Sequence, residues 1–187
     1  MKSIILASNS PRRKELLAGL GLEFIVDTAN SFDEVVPEGT KAEDVPVLLS
    51  QGKSHGFHRE LNEGEVLISA DTVVIVDDLV LGKPHSREEA VEMLGMLSGR
   101  EHKVITAVTL RDSSKEITFS DSTEVFFAEL SEDDINYYID NFKPYDKAGA
   151  YGIQEWIGYA AIGSINGSFY NVMGLPVHRI WNELKQF

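Results

Sequence analysis

The sequence contains no cysteine. Disulfide bridges and thiolate metal sites are therefore excluded, and a reducing compartment suits the chain. Positive charge is also scarce: 17 Lys and Arg against 30 Asp and Glu leave a formal net charge of −13. That field repels nucleic acid, which makes polymer binding a poor fit. A small anionic ligand remains compatible if the few cations gather in one place. No apolar run approaches the length of a membrane span. The apolar stretch in residues 1–7 is too short for the core of a secretory signal, so the expectation is a soluble cytoplasmic protein. Internal repeats, low-complexity tracts and linkers are missing too. What is present is ordinary for a globular protein: 187 residues, 43% hydrophobic and 25% charged, read as a single domain over residues 1–187.

Residues 3–8 read as a short buried strand, followed by a helix over about 11–20 with Ser10 as N-cap and Pro11 at the first helical position. Residues 22–26 give a second strand. The Thr40-Lys41-Ala42-Glu43 spacing predicts a capping box opening a helix to about residue 57, with Val45, Leu49, Gly52 and Gly56 on one side. A long β-rich run covers 65–76, and Asp77-Asp78 suits a turn into a short strand at 79–81. Ser86-Arg87-Glu88-Glu89 is a second capping box, opening a helix with Ala90, Met93, Leu94 and Leu97 on its apolar side. Strands at 102–110 and 117–127 flank the polar turn 112–115, and Ser131 caps a helix carrying Ile135, Tyr138 and Ile139. A Gly/Lys-rich stretch, 143–154, precedes further short strands and a last helix over about 176–184. Alternating helices and strands with hairpin-like links predict an α/β fold with a mixed sheet.

Several residues sit where a ligand or a charged partner would account for them. Arg12 and Arg13 occupy the first turn of a helix, where the macrodipole disfavours each cation by roughly 0.3–1 kcal/mol. Ser8, Ser10, the backbone N–H groups and the two guanidinium groups together suit a phosphate, although a solvated Arg pair is the plain alternative. Asp71 interrupts the β-branched run Leu67-Ile68-Ser69-Ala70-Asp71-Thr72-Val73-Val74. A carboxylate there needs a cation, metal or hydrogen-bond donors, so it is either a structural ion pair or strand-end turn, or a group that holds a metal or takes a proton from water.

Lys53 borders an apolar helix face and either snorkels to solvent or reaches into a site. Lys83, in Gly82-Lys83-Pro84, lacks the upstream glycine spacing of a P-loop. Glu34 lies in a loop, where a carboxylate is most often just solvated; paired with Asp71 it would form a hard oxygen site for Mg²⁺ or Mn²⁺. His55 and His58 have no zinc-site spacing and read as surface or packing residues. Lys147 to Gln154 combines a cation, two glycines and a terminal amide; Gln154 suits a nucleobase edge, and a plain turn is the competing reading.

Together these pieces resemble the Maf family of nucleotide pyrophosphatases. Leu6-Ala7-Ser8-Asn9-Ser10-Pro11-Arg12-Arg13-Lys14-Glu15-Leu16-Leu17 is similar to its opening signature. Ala70-Asp71-Thr72-Val73-Val74, Gly82-Lys83-Pro84, Leu97-Ser98-Gly99-Arg100-Glu101-His102, residues 146–154 and Tyr170-Asn171-Val172-Met173-Gly174-Leu175-Pro176 follow in the family's order. The resemblance implies an elongated, twisted mixed sheet with flanking helices and two lobes about a central cleft, the inosine triphosphate pyrophosphatase-like architecture.

It also implies hydrolysis of a nucleoside triphosphate between its α and β phosphates with a divalent cation, Mg²⁺ or Mn²⁺. Asp71 then activates water. Ser8, Arg13, Glu34, Lys53 and Lys83 surround the phosphates and the metal, with Glu34 and Asp71 as metal ligands. Arg12, Thr72 and Gln154 match the substrate-selecting positions of the dTTP/UTP branch, modified uridine triphosphates included. The 7-methyl-GTP branch is expected to carry an aromatic residue in place of Arg12. The chain departs from the pattern after Gln154, where Glu155-Trp156 replaces the usual glycine. A homodimer is a further implication. The rival readings are a purine-directed pyrophosphatase and a non-catalytic nucleotide-binding regulator of cell division.

Overall fold

The computed structural model describes residues 2–187. β1 (Ser3–Leu6) leads into α1 (Pro11–Ala18), which starts where the sequence predicts it: the Ser10 side chain accepts from the Arg13 N–H. β2 (Phe24–Val26) is short. The second helix differs from expectation. Thr40 Oγ1 donates to the Pro37 carbonyl at 2.7 Å and caps nothing, so the chain enters through a 3₁₀ turn, Ala42–Asp44, before α2 (Val45–His55). Pro46 near the helix start explains the late entry, since it has no N–H to lose there.

β3 (Glu65–Val76) is buried along nearly its whole length, as suits a strand with neighbours on both sides. It turns into β4 (Leu79–Leu81) through Asp77 and Asp78, with φ of 48° and 63°. Two consecutive left-handed residues match the twist of a tight hairpin, and Asp tolerates that region better than most side chains. The Arg100 guanidinium holds the turn by donating to the Asp77 carboxylate at 2.5–2.6 Å.

α3 (Arg87–Leu97) buries Ala90, Met93, Leu94 and Leu97, the side read from its periodicity. Its cap is only half a capping box. Ser86 accepts from the Glu89 N–H, but the Glu89 carboxylate reaches back one residue further, to the His85 N–H at 2.6 Å. β5 (Glu101–Arg111) and β6 (Glu116–Phe127) flank a turn in which Asp112 Oδ1 accepts from the N–H groups of Ser114 and Lys115. α4 (Glu132–Phe142) opens with a complete Ser131–Asp134 capping box. The region beyond Gln154, predicted as several short strands, is mostly helical turns: α5 (Trp156–Ala160), one strand β7 (Ile162–Asn166), and α6 (Phe169–Met173). α7 (Val177–Leu184) closes the chain, starting one residue after Pro176.

The seven strands form one mixed sheet in the order β2-β1-β3-β5-β6-β7, with β4 on β3. β1 is parallel to β2 and β3; β4 is antiparallel to β3, and β7 to β6. The chain divides into two compact units. The first contains Met1–Asp71, Thr106–Asp121 and Gly174–Phe187; the second contains Thr72–Ile105 and Ser122–Met173. In the first, Ile5 and Leu67 pack with Phe57 and Leu61. In the second, Phe127, Tyr138, Ile139, Leu94 and Leu97 are fully buried. Among the described residues no helix is long and apolar enough to cross a membrane.

Candidate active site

Of β3's twelve residues, Asp71 and Thr72 are the two adjacent half-buried positions between fully buried stretches. The cost of placing a carboxylate there is met by a cation: Lys53 Nζ lies 2.7 Å from Asp71 Oδ1 and 3.1 Å from Glu34 Oε1. One ammonium thus draws two carboxylates together. Lys53 does not snorkel away; its side chain is only 20% exposed.

Hydroxyl groups position that lysine, a feature the sequence reading missed. Ser69 Oγ on β3 donates to the Ser50 carbonyl of α2 at 2.8 Å, and Ser50 Oγ lies 3.1 Å from Thr109 Oγ1 on β5. Gln51 Nε2 donates to Thr118 Oγ1 on β6. Ser50, Ser69 and Thr109 are fully buried, so these bonds replace water contacts and fix the helix against the strands. Hydroxyls recurring in apolar stretches were the available signal.

Glu34 is placed by two glycines. A Cβ on Gly52 would stand 2.2–2.6 Å from the Phe32 ring, and one on Gly56 would stand 2.5 Å from Asn30 Oδ1. Their bare surfaces let residues 30–32 lie on α2, where Asn30 Nδ2 donates to the Lys53 carbonyl at 2.6 Å and Ser31 N–H to the Gly56 carbonyl. The loop's path brings Glu34 to Lys53.

Arg13 resolves the macrodipole problem by turning back over its own unit. Its Nε donates to the Gly174 carbonyl and its Nη1 to the Ala70 carbonyl, both at 2.9 Å, with Ser8 Oγ 3.4 Å from Nη1. Burial lowers its pKa; the field of Asp71 opposes that, Arg12 adds to it and Glu34 opposes it. The group stays charged, because arginine's ordinary value lies far above neutrality. Ser8 is buried and also accepts from the Ser10 N–H. Arg12 is half-buried beside them on α1.

The first unit therefore brings together Ser8, Arg13, Glu34, Lys53 and Asp71. Thr72, Lys83 and Gln154 belong to the second unit. Lys83 is exposed after β4, and Thr72 is half-buried. Gln154 Oε1 is buried without a hydrogen-bond partner. The loop that carries it is tied to the Lys83 segment by the Gly149 N–H, which donates to the Gly82 carbonyl at 3.0 Å. His55 and His58 each meet one carboxylate, Glu116 and Asp27. Among the described residues no three carboxylate, imidazole or thiolate groups cluster to hold a metal ion. A cation held by Glu34 and Asp71 would therefore complete its shell with water and substrate oxygens, the usual habit of Mg²⁺.

Comparison with known proteins shows the family. Residues 3–187 match the family described as Maf-like protein. The chain belongs to the Maf family. A Phocaeicola vulgatus protein named dTTP/UTP pyrophosphatase is 50% identical over 183 residues, covering 98% of this chain and 95% of that one. A Porphyromonas gingivalis protein of the same name is 51% identical over 186 residues, covering 98% and 94%. A solved HAM1 protein from Coxiella burnetii aligns over 100% of both chains with a TM-score of 0.53 at 15% identity, a likeness of fold alone.

Proposed function

We propose that this Maf protein is a nucleoside triphosphate pyrophosphatase that converts dTTP and UTP, modified uridine triphosphates included, to the monophosphate and pyrophosphate. The relatives' name and near-complete coverage support the substrate class. The observation that carries the chemistry is the convergence of Glu34 and Asp71 on one cation.

In this reading Asp71 accepts the proton of a water whose oxygen attacks the α-phosphorus. The bond from that phosphorus to the α,β-bridging oxygen breaks, and pyrophosphate carries away the bonding pair. Such reactions depend mainly on positioning and charge stabilisation. Lys53 and Arg12 supply positive charge in the first unit. Arg13 holds the middle of β3 through the Ala70 carbonyl, within the electrostatic reach of Asp71 and Glu34. Glu34 and Asp71 would hold Mg²⁺ or Mn²⁺, which when bound neutralises phosphate charge. By family resemblance Lys83 joins the phosphate contacts, while Arg12, Thr72 and Gln154 select the base.

Pyrophosphate release from dTTP, UTP, 7-methyl-GTP and ITP tests the reading. Preferential turnover of dTTP and UTP is expected. Preference for either purine nucleotide would replace the substrate assignment, and tight binding without turnover would replace the enzyme with a nucleotide-binding regulator.

A further inference from the structure

The loop carrying Gln154 holds an unfavourable shape. Ala150 has φ of 59°, a left-handed conformation that a side-chain-bearing residue adopts only at a cost. Gly149 beside it has φ of 66°, and a Cβ there would stand 2.9 Å from Val74. Strain of this kind persists only where surrounding contacts over-determine it. On either side of the strained pair, Lys147 and, through Tyr138, Gly152 are held by Glu155, where the family pattern has glycine.

Glu155 reaches both halves of the loop. Its Oε1 lies 3.1 Å from Lys147 Nζ, and its Oε2 accepts the Tyr138 hydroxyl proton. Lys147 is buried, with its side chain 8% exposed, so it needs a counter-charge close by. Asp146 provides one at 2.8 Å but is 53% exposed; Glu155, at 20%, is the inner partner. The Tyr138 oxygen in turn accepts the Gly152 N–H at 3.0 Å. Tyr138 is fully buried, stacked on Phe142 at 5.2 Å, while Trp156 packs edge-on against Tyr137 at 4.9 Å. Glu155 N–H donates to the Gly152 carbonyl.

Gly152 is the point where the brace meets Gln154. A Cβ on Gly152 would stand 2.9 Å from Lys147 Cε and 3.1 Å from Gln154 Nε2. The lysine stem and the glutamine amide thus lie against the same bare backbone. Moving Lys147 or Gly152 moves the surface on which that amide rests. Its Oε1, buried and unpaired, is an acceptor awaiting a donor; the N3–H of a uracil or thymine ring supplies one, whereas N3 of cytosine carries no proton and the donor there is the exocyclic amine, which calls for a different amide orientation.

We propose that Glu155 is a positioning residue for base selection, bracing Lys147 and, through Tyr138, Gly152, so that Gln154 presents its amide in one orientation. The proposal rests on the pyrimidine triphosphate reading above.

Glu155→Gln and Tyr138→Phe test it, the second keeping the ring packing while deleting only the bridging hydroxyl. Turnover of dTTP and CTP is measured for each, with the ¹H–¹⁵N signals of the Gln154 side-chain amide, assigned by their loss in Gln154→Ala. The expected result is an about tenfold lower preference for dTTP over CTP, carried in KM rather than kcat, with broadened or doubled Gln154 signals. An unchanged preference with unchanged Gln154 signals in Tyr138→Phe overturns the proposal. So does an equal loss on both substrates, which marks a merely structural role. Failure of the wild-type protein to turn over dTTP and UTP sinks the parent reading instead, and the amide signals still report on the brace.

Discussion

Replacing His102 with glutamine should flatten part of the protein's acid sensitivity. His102 on β5 is 3% exposed, packed edge-on against Phe127 and Tyr151, with Nε2 2.7 Å from the Tyr151 hydroxyl. Its Nδ1 is buried without a partner. Burial lowers its pKa from 6.5 to about 4. The unfolded chain therefore takes up the proton first as pH falls, and folding loses stability between about pH 6.5 and 4. Above that window the neutral ring contributes its full share. The gap corresponds to about 3 kcal/mol, of which about 2.5 kcal/mol is gone by pH 4.5. Carboxylate titrations elsewhere contribute equally to both proteins, so the comparison isolates this ring. Glutamine keeps a polar group near the position of Nε2 and cannot titrate. Urea unfolding of wild type and His102→Gln at pH 7.5, 6.5, 5.5 and 4.5 should show the difference between them shifting by about 2–3 kcal/mol in the variant's favour. Parallel curves would refute the reasoning. Because Tyr151 lies in the Gln154 loop, the same protonation should loosen that loop before the protein unfolds.

Two further substitutions probe the first unit. Arg13→Lys cannot serve the Ala70 and Gly174 carbonyls together; the loss should be about 2 kcal/mol, lowering the melting temperature by roughly 4–8 °C, measured calorimetrically. Gly52→Ala drives a methyl group into the Phe32 ring. Because that ring belongs to a surface loop, the expected outcome is displacement of Glu34, with kcat/KM for dTTP falling about tenfold or more while stability falls by less than about 2 kcal/mol.

How much of this was legible in the sequence depends on how local each determinant is. The Ser10 cap, the Asp77-Asp78 turn, the buried face of α3 and the extent of β3 follow from neighbouring residues and periodicity, and the structure shows them as read. Asp71 stood out as a carboxylate where a carboxylate is costly, and its cation is present. The Thr40 box failed because a hydroxyl has competing local acceptors, here the Pro37 carbonyl. That Lys53 serves both Glu34 and Asp71 could not be read, since it depends on hydroxyls from three strands, those of Ser69 and Thr109 buried, and on a phenylalanine seated on Gly52 and Gly56. Glu155-Trp156 was visible as a departure, but its meaning needed Tyr138 and Lys147 in space.

The central claim is that Asp71 poises water for metal-assisted cleavage. Its most direct test is pyrophosphate release from dTTP by wild type and Asp71→Asn, each with Mg²⁺, Mn²⁺ or a chelator. Metal-dependent release by wild type, and loss of about two orders of magnitude or more in kcat in a variant that still folds and binds dTTP, is the predicted result. Undiminished turnover by Asp71→Asn, or full activity in the chelator, would contradict it.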